Sequence, residues 1–379
     1  MEQQKIRWSH FVLRLGVQKS VEIIPIISMD ECWRQHLDFL ACVALNGTSV
    51  VHFQSEGWTM TSVDLADLEV KEEEKETTAS LIRGVLAKLH TAGYPVAGFD
   101  MYVTSTVLPG SGLSSSAACE VLIGTTGNHL FCQDKFDAVE IAKIGQAAEN
   151  EYFGKPCGLM DQTASSVGDA VAIDFKDPAN PIVRSINADL TGLGLALCII
   201  DCGADHAALT NEYASIPEEM SKVAAHFGKK VLREVKEEDL LADLAQVRKE
   251  AGDRAVLRAL HFYADDRRAV EEADALERKD KEAFLNLVKE SGRSSWELLQ
   301  NITPAAAITH QDMAVALAVA EKALNGKGAC RVHGGGFAGT IQAFVPVEDV
   351  CEFKKTMETM LSEGCCHVLS IRPAGGLIL

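Results

Sequence analysis

The sequence has no Gly-Lys-Ser/Thr phosphate loop, no Gly-x-Ser-x-Gly nucleophile elbow and no two cysteine pairs at zinc-site spacing. These absences speak against a Walker-type nucleotidase, an esterase of the α/β-hydrolase kind and a zinc module. Positive charge is also in short supply. Lysines and arginines number 36 against 54 aspartates and glutamates, a formal charge of −18, which argues against a nucleic-acid or anionic-membrane partner. The longest early apolar run, residues 21–27, is interrupted by Glu22 and Pro25 and is too short to span a bilayer. No signal peptide, internal repeat or low-complexity tract is visible. The 11 cysteines, among them Cys198 and Cys202 and the adjacent Cys365-Cys366, therefore read as reduced thiols of a cytoplasmic protein. At 379 residues the chain has material for one or two domains with substantial cores.

The most informative stretch is Pro109-Gly110-Ser111-Gly112-Leu113-Ser114-Ser115-Ser116-Ala117-Ala118. Upstream, Phe99, Met101, Val103 and Val107 share one face at period two, as in a half-buried strand. Downstream, Ala117, Ala118, Val121 and Leu122 have helical spacing. Glycines and serines at a strand-to-helix junction aim backbone N–H groups along a helix axis, an arrangement that binds phosphate. The same residues also suit a plain helix N-cap with a flexible glycine entry.

Elsewhere, Asn46-Gly47 between residues 40–45 and 48–54 is a hairpin signal. Residues 77–92 read as a helix ended by Gly93-Tyr94-Pro95. Asp134 is placed to cap a helix with the stripe Ile141, Ile144, Ala148 and Tyr152, stopped by Gly154-Lys155-Pro156. Leu195–Asp201 reads as a buried strand, residues 217–300 as charged helices, and the remainder as alternating helix and strand. A polar stretch at Asn187-Ala188-Asp189 marks a boundary, giving domains 1–190 and 191–379.

Two further segments complete a pattern. Cys157-Gly158-Leu159-Met160-Asp161-Gln162 follows a helix, and Arg331-Val332-His333-Gly334-Gly335-Gly336-Phe337-Ala338-Gly339-Thr340 lies near the C-terminus. With residues 109–118 they resemble the second motif, the catalytic-aspartate segment and the third motif of the galactokinases, in the galacto-, homoserine, mevalonate and phosphomevalonate (GHMP) kinase superfamily. The Met-Asp-Gln segment separates galactokinases from their cousins, and the resemblance runs from about Leu37 onward. It implies an α+β, two-domain GHMP-kinase fold, with a ribosomal-protein-S5-like N-terminal domain and a ferredoxin-like C-terminal domain. It also implies ATP and Mg²⁺ in the cleft between them, and transfer of the γ-phosphoryl group to the anomeric hydroxyl of galactose. The expected partners are these small molecules alone, and the expected state is a monomer.

A kinase needs a phosphate cradle, a metal site and a residue for the acceptor hydroxyl. By resemblance Gly110, Ser111, Gly112, Leu113, Ser114, Ser115 and Ser116 form the cradle, supported by Gly334, Gly335 and Gly336. Because Mg²⁺ keeps most of its water, one hydroxyl and one carboxylate suffice. The resemblance assigns these to Ser116 and Glu149, the latter otherwise an ordinary helix-surface glutamate. Asp161, twelve residues after Glu149 as in the family, becomes the carboxylate facing the anomeric hydroxyl, as base or orienting charge. Read from the residues alone, it caps the helix that follows. Tyr213 matches a family tyrosine that contacts the sugar, and reads otherwise as a packed aromatic. Ala338 stands where the family usually has glycine and Thr340 where it has cysteine. A methyl group at 338 matters only if φ is positive there.

The N-terminal motif departs from the family altogether. Galactokinases open with Ala-Pro-Gly-Arg and then Gly-Glu/Asn-His-Thr-Asp, which supply an arginine beside the catalytic aspartate and the groups that grip the sugar. Residues 11–30 here contain none of it. Yet codons for Val17 to Asp30, read from the third base of each, permit Thr-Glu-Ile-Gly-Gly-Asn-His-Thr-Asp-His-Gln-His-Gly without contradiction. Val12 to Val17 permit Ala-Pro-Ala-Gly-Arg directly before it, and Glu31 to Gln35 permit Val-Leu-Ala-Ala after it. So long a match implies two compensating frameshifts, near residues 8–11 and 35–37, in the gene or in its sequencing. The other reading is a divergent N-terminus with a different role. The resulting expectation is a sugar 1-kinase that keeps its nucleotide half and has lost its sugar half. A non-catalytic sugar or nucleotide sensor of the same fold is the alternative.

Overall fold

A computed structural model describes residues 4–9, 21–25, 38–105, 115–177, 179–203, 209–369, 371 and 374–378. Residues 10–20 and 26–37, which hold most of the displaced motif, and residues 106–114, which hold Gly110 to Ser114, lie outside these.

The chain begins with strands β1 (Gln4–Ser9), β2 (Val21–Pro25), β3 (Asp38–Leu45), β4 (Val50–Ser55) and β5 (Thr61–Asp64). Helix α1 (Thr78–Thr91) leads to β6 (Phe99–Ser105), followed by α2 (Ser115–Cys132), α3 (Ala138–Ala148) and α4 (Met160–Val167). Then come β7 (Ala170–Asp174), β8 (Ile182–Ile186), β9 (Leu195–Asp201) and the helices α5 (Thr210–His226), α6 (Glu237–Ala242) and α7 (Leu244–Ala251). The long α8 (Asp253–Glu277) precedes α9 (Lys281–Ser294), α10 (Asp312–Leu324), β10 (Ala329–Val332) and β11 (Thr340–Pro346). Helix α11 (Val350–Met360), β12 (Cys366–Leu369) and β13 (Leu377–Ile378) finish the order. The elements fall into two compact units: the first holds Pro25–Val171 with both chain ends, and the second holds Ala172–Ser370 with Leu13–Ile24.

The first unit is a six-stranded sheet, β13-β1-β3-β6-β4-β5, covered by helices. In β6 the period-two reading holds: Phe99, Met101 and Val103 are buried, whereas Asp100 and Tyr102 face solvent. Helix α2 lies against β1, β3 and β13, and α3 and α4 stack on it.

The Asn46-Gly47 hairpin does not form. β6 lies between β3 and β4, antiparallel to the first and parallel to the second. The turn must therefore bridge two strand spacings, about 10 Å, instead of one. It does so by wrapping around Gly98. The Asn46 N–H donates to the Gly98 carbonyl and the Gly98 N–H to the Thr48 carbonyl. The Asn46 amide also donates to the Val50 carbonyl at 2.9 Å and to Asp100 at 2.8 Å. A Cβ on Gly98 would lie 2.5 to 2.7 Å from three oxygens of this loop, so only glycine fits.

The cap of α3 also differs from expectation. Asp137 accepts the Glu140 N–H at 2.8 Å and Glu140 accepts the Asp137 N–H at 2.8 Å, a reciprocal box. Asp134 sits in the preceding turn at φ +55° and pairs with His129. Helix α1 ends at Thr91, with Ala92 as its C-cap before Gly93, as its sequence suggests.

The second unit contains an antiparallel sheet, β10-β11-β9-β12, and a smaller one, β2-β7-β8. Ile200, Val332 and Ile341 of the larger sheet pack with Leu317, Phe353 and Met357 of α10 and α11. Phe284 of α9 meets Phe344 edge to face at 4.8 Å. A separate helical core joins α5, α7 and α8 through Ile216, Val223, Val247 and Phe262.

Candidate active site

In the first unit three helices bring polar side chains to one buried point. Ser116 and Glu120 lie one turn apart on α2, and the i, i+4 spacing puts them on the same face. Glu149 ends α3 on the same face as Gly145, and Asp161 and Gln162 open α4. Glu149 is not a helix-surface residue: it is 3% exposed, and Glu120 and Gln162 are wholly buried. The Ser116 hydroxyl donates to Glu149 Oε1 at 2.8 Å. The Gln162 amide donates to Glu149 Oε2 at 2.8 Å and to Glu120 Oε2 at 2.9 Å. Lys155, largely exposed, stands 3.7 Å from Glu149 Oε1.

Local sequence explains this convergence. After α3 the backbone continues as a π turn, Glu149–Phe153, closed by Gly154 at φ +84°. Such single π turns recur at functional sites. The chain is then tied back: Asn150 accepts the Cys157 N–H at 2.6 Å, and the Gln146 amide donates to the Cys157 carbonyl at 3.2 Å. That return delivers Leu159 to the N-cap of α4 and leaves Asp161 inside the first turn. Asp161 is therefore not the capping residue, although its charge is favoured at a helix N-terminus.

Burial, followed by the neighbouring charge of Glu149, pushes the Glu120 carboxyl well above the usual range, and the Asp161 charge adds to it. Burial and Glu149 likewise raise the Cys157 thiol, so this cysteine is no nucleophile. Glu120 escaped the sequence reading, though a lone carboxylate in the apolar run of residues 117–123 is itself a signal of a buried polar contact. Gln162 stood out only as part of a motif.

In the second unit residues 334–339 form a turn with positive φ at Gly334, Gly336, Phe337 and Gly339. Ala338 is not among these, which explains why alanine is accommodated. Phe337 plugs the helical core below the turn. The Tyr213 hydroxyl donates to the Gly336 carbonyl at 2.8 Å, its ring meets Phe337 at 5.6 Å, and a Cβ on Gly335 would strike that ring at 2.8 Å. Asn301, which follows a second π turn at Ser295–Leu299, donates to the Gly335 carbonyl at 3.1 Å. No local sequence feature announced it. His333 contacts Thr340 at 2.7 Å across the base of the turn.

Among the described residues no three His, Cys, Asp or Glu side chains form a metal cage, and no helix is long and apolar enough to cross a membrane. A site of one hydroxyl and one carboxylate remains. Ser116 Oγ and Glu149 Oε1 are 2.8 Å apart, close to the roughly 2.9 Å between adjacent oxygens of an octahedral magnesium shell. Both are hard oxygen donors, so the pair fits that ion.

Residues 80–169 match the family of GHMP kinases N terminal domain. A galactokinase of Glaesserella parasuis is 30% identical over 341 residues, 85% of this chain and 84% of its own length. A galactokinase of Streptomyces coelicolor is 33% identical over 275 residues, covering 73% of this chain and 68% of its own. The structure of Lactococcus lactis galactokinase complexed with galactose superimposes with a TM-score of 0.79 at 21% identity, covering 100% of this chain and 95% of that one. This last likeness speaks for the fold.

Proposed function

This chain belongs to the galactokinase family, a phosphotransferase family within the GHMP kinases, and from that premise we propose an ATP-dependent galactose 1-kinase whose sugar-gripping motif is displaced from its reading frame over residues 12–36. The observation that supports the nucleotide half is the Ser116–Glu149 contact at 2.8 Å, between the two residues that the family resemblance assigns to the metal. Ser116, at the head of α2, and the glycines of the 334–339 turn would serve the phosphates. Ser116 and Glu149 would hold Mg²⁺, which when bound supplies charge neutralisation at the β- and γ-phosphates. Asp161 is assigned to the acceptor: it takes or orients the proton of the anomeric hydroxyl as that oxygen bonds to the γ-phosphorus and the bond to ADP breaks. Tyr213 is assigned to the sugar on its family position, with its hydroxyl engaged at Gly336.

Residues 12–36 as they stand do not carry the Arg and Gly-Asn/Glu-His-Thr-Asp pattern. The chain as written is therefore a nucleotide-binding protein with negligible galactose turnover. The test is nucleotide titration with and without galactose, paired with an ADP-release assay, on this chain and on one with the frame restored. Nucleotide binding by both and galactose-dependent ADP release by the restored chain alone is the expected result. Robust galactose phosphorylation by the unaltered chain overturns the displaced-motif reading. The missing motif also favours a sensor without turnover, and galactose-dependent nucleotide binding without ADP release by the chain as written would select it.

A further inference from the structure

Gln162 has no role in the chemistry above, yet its amide nitrogen is tightly held in the first unit. It is wholly buried, and its amide nitrogen faces two carboxylates, Glu149 Oε2 at 2.8 Å and Glu120 Oε2 at 2.9 Å, with Cys157 Sγ at 3.6 Å. An amide nitrogen has two hydrogens, and each is matched to one carboxylate. The reversed amide would set its oxygen against Glu149, so the orientation is fixed.

Gly145 supplies an independent observation from the opposite helix. A Cβ there would lie 3.1 Å from both Cβ and Oε2 of Glu120 and 3.3 Å from Cγ of Gln162. Only a hydrogen at that position lets α3 approach closely enough for Glu149 to be reached from α4. Glu120 and Gln162 are wholly buried, and a carboxyl group deprived of its donor there keeps its desolvation cost.

We infer that Gln162 is a positioning residue for Glu149. By holding Oε2 of Glu149 against Glu120, it fixes the carboxylate plane and leaves Oε1 turned toward Ser116 and a divalent cation. Glu120 and Gly145 form the rest of this support. Outer partners of this kind typically change metal affinity by about 10- to 100-fold when removed. The inference rests on the assignment of Ser116 and Glu149 to the metal.

The test needs no sugar turnover and uses the full chain. ADP affinity is measured by calorimetry in excess Mg²⁺ and in EDTA, and Mn²⁺ bound in the presence of ADP is counted by electron paramagnetic resonance. Gln162→Met keeps length without donors, Gln162→Leu removes the donors with a shorter apolar side chain, and Gly145→Ala presses on the support from α3. Each is expected to lower the Mg²⁺ enhancement and the Mn²⁺ affinity about tenfold or more while ADP affinity in EDTA stays unchanged. An undiminished enhancement in the folded variants, accompanied only by a lower melting temperature, reduces Gln162 to a packing residue and overturns the inference. A wild-type chain that binds ADP equally with and without Mg²⁺ overturns the metal assignment itself and the inference with it. That outcome is recognised before any variant is compared.

Discussion

The Ser116 hydroxyl and the Glu149 carboxylate, 33 residues apart in sequence, meet at 2.8 Å where the head of α2 passes the end of α3. Ser116→Ala removes one hard oxygen from that pair. Metal-dependent nucleotide affinity should fall at least about tenfold, the size that even outer-shell partners contribute. Calorimetry giving equal affinity with and without Mg²⁺, in wild type and variant alike, would count against the pair as a metal site.

Asp161 lies inside the first turn of α4 without capping it, so its loss should affect turnover more than folding. In a frame-restored chain Asp161→Asn is expected to lower kcat by roughly 10²-fold or more, the range of positioned acid–base groups. The melting temperature should change little. A variant that loses its fold while keeping specific activity per folded molecule would return the residue to a structural role.

Restoring the frame across codons 12–36 should recover galactose phosphorylation, because it returns the arginine and hydrogen-bonding groups that hold the sugar in line. The DNA alone can sink this. Wobble bases that fail to spell Gly-Gly-Asn-His-Thr-Asp in the shifted frame leave the motif without a source.

His226, in the last turn of α5, bridges Glu250 at 2.7 Å and Asp243 at 2.8 Å. The Glu250 bond first, and the Asp243 bond next, raise its pKa above 6.5. The stabilisation is therefore complete below pH 6.5, the unfolded value, and is lost as pH climbs through the folded one. The wild-type melting temperature should drop relative to His226→Gln as pH rises above 6.5 and through the raised folded value. Parallel curves for the two proteins would remove His226 from the pH response.

Gly336 adopts φ +83°, and a Cβ on it would sit 2.0 Å from the Asn301 carbonyl. Gly336→Ala should destabilise the chain by at least about 1–3 kcal/mol, the scale of a forced left-handed residue. Urea unfolding that shifts by less than about 0.5 kcal/mol would mean the turn yields easily.

Much of this was legible in the residues, and the failures have identifiable causes. The period of two in β6 and the glycine stop after α1 are local properties, and both were readable. The Asn46-Gly47 turn was misread because local turn chemistry cannot report a strand inserted from 50 residues downstream. Asp134 was preferred over Asp137 because the Glu140 partner of the box was overlooked. The two π turns, which place Glu149 and Asn301, arise from packing that no periodicity encodes. Asp161 and Glu149 came from family motifs, whereas Gln162 and Glu120 emerge as a unit only once α2, α3 and α4 are together.

The loop around Gly98 also carries a consequence for synthesis. β3 and β4 leave the ribosome early, yet neither can pair with the other, since the slot between them is reserved for β6. Until α1 has emerged and β6 follows it, both inner edges stand open to any passing strand. Closing the sheet requires the non-local step first, which makes it slow relative to a hairpin of the same length. The nascent first unit is thus most vulnerable to aggregation in the interval between Ser55 and Phe99, well before any site residue exists.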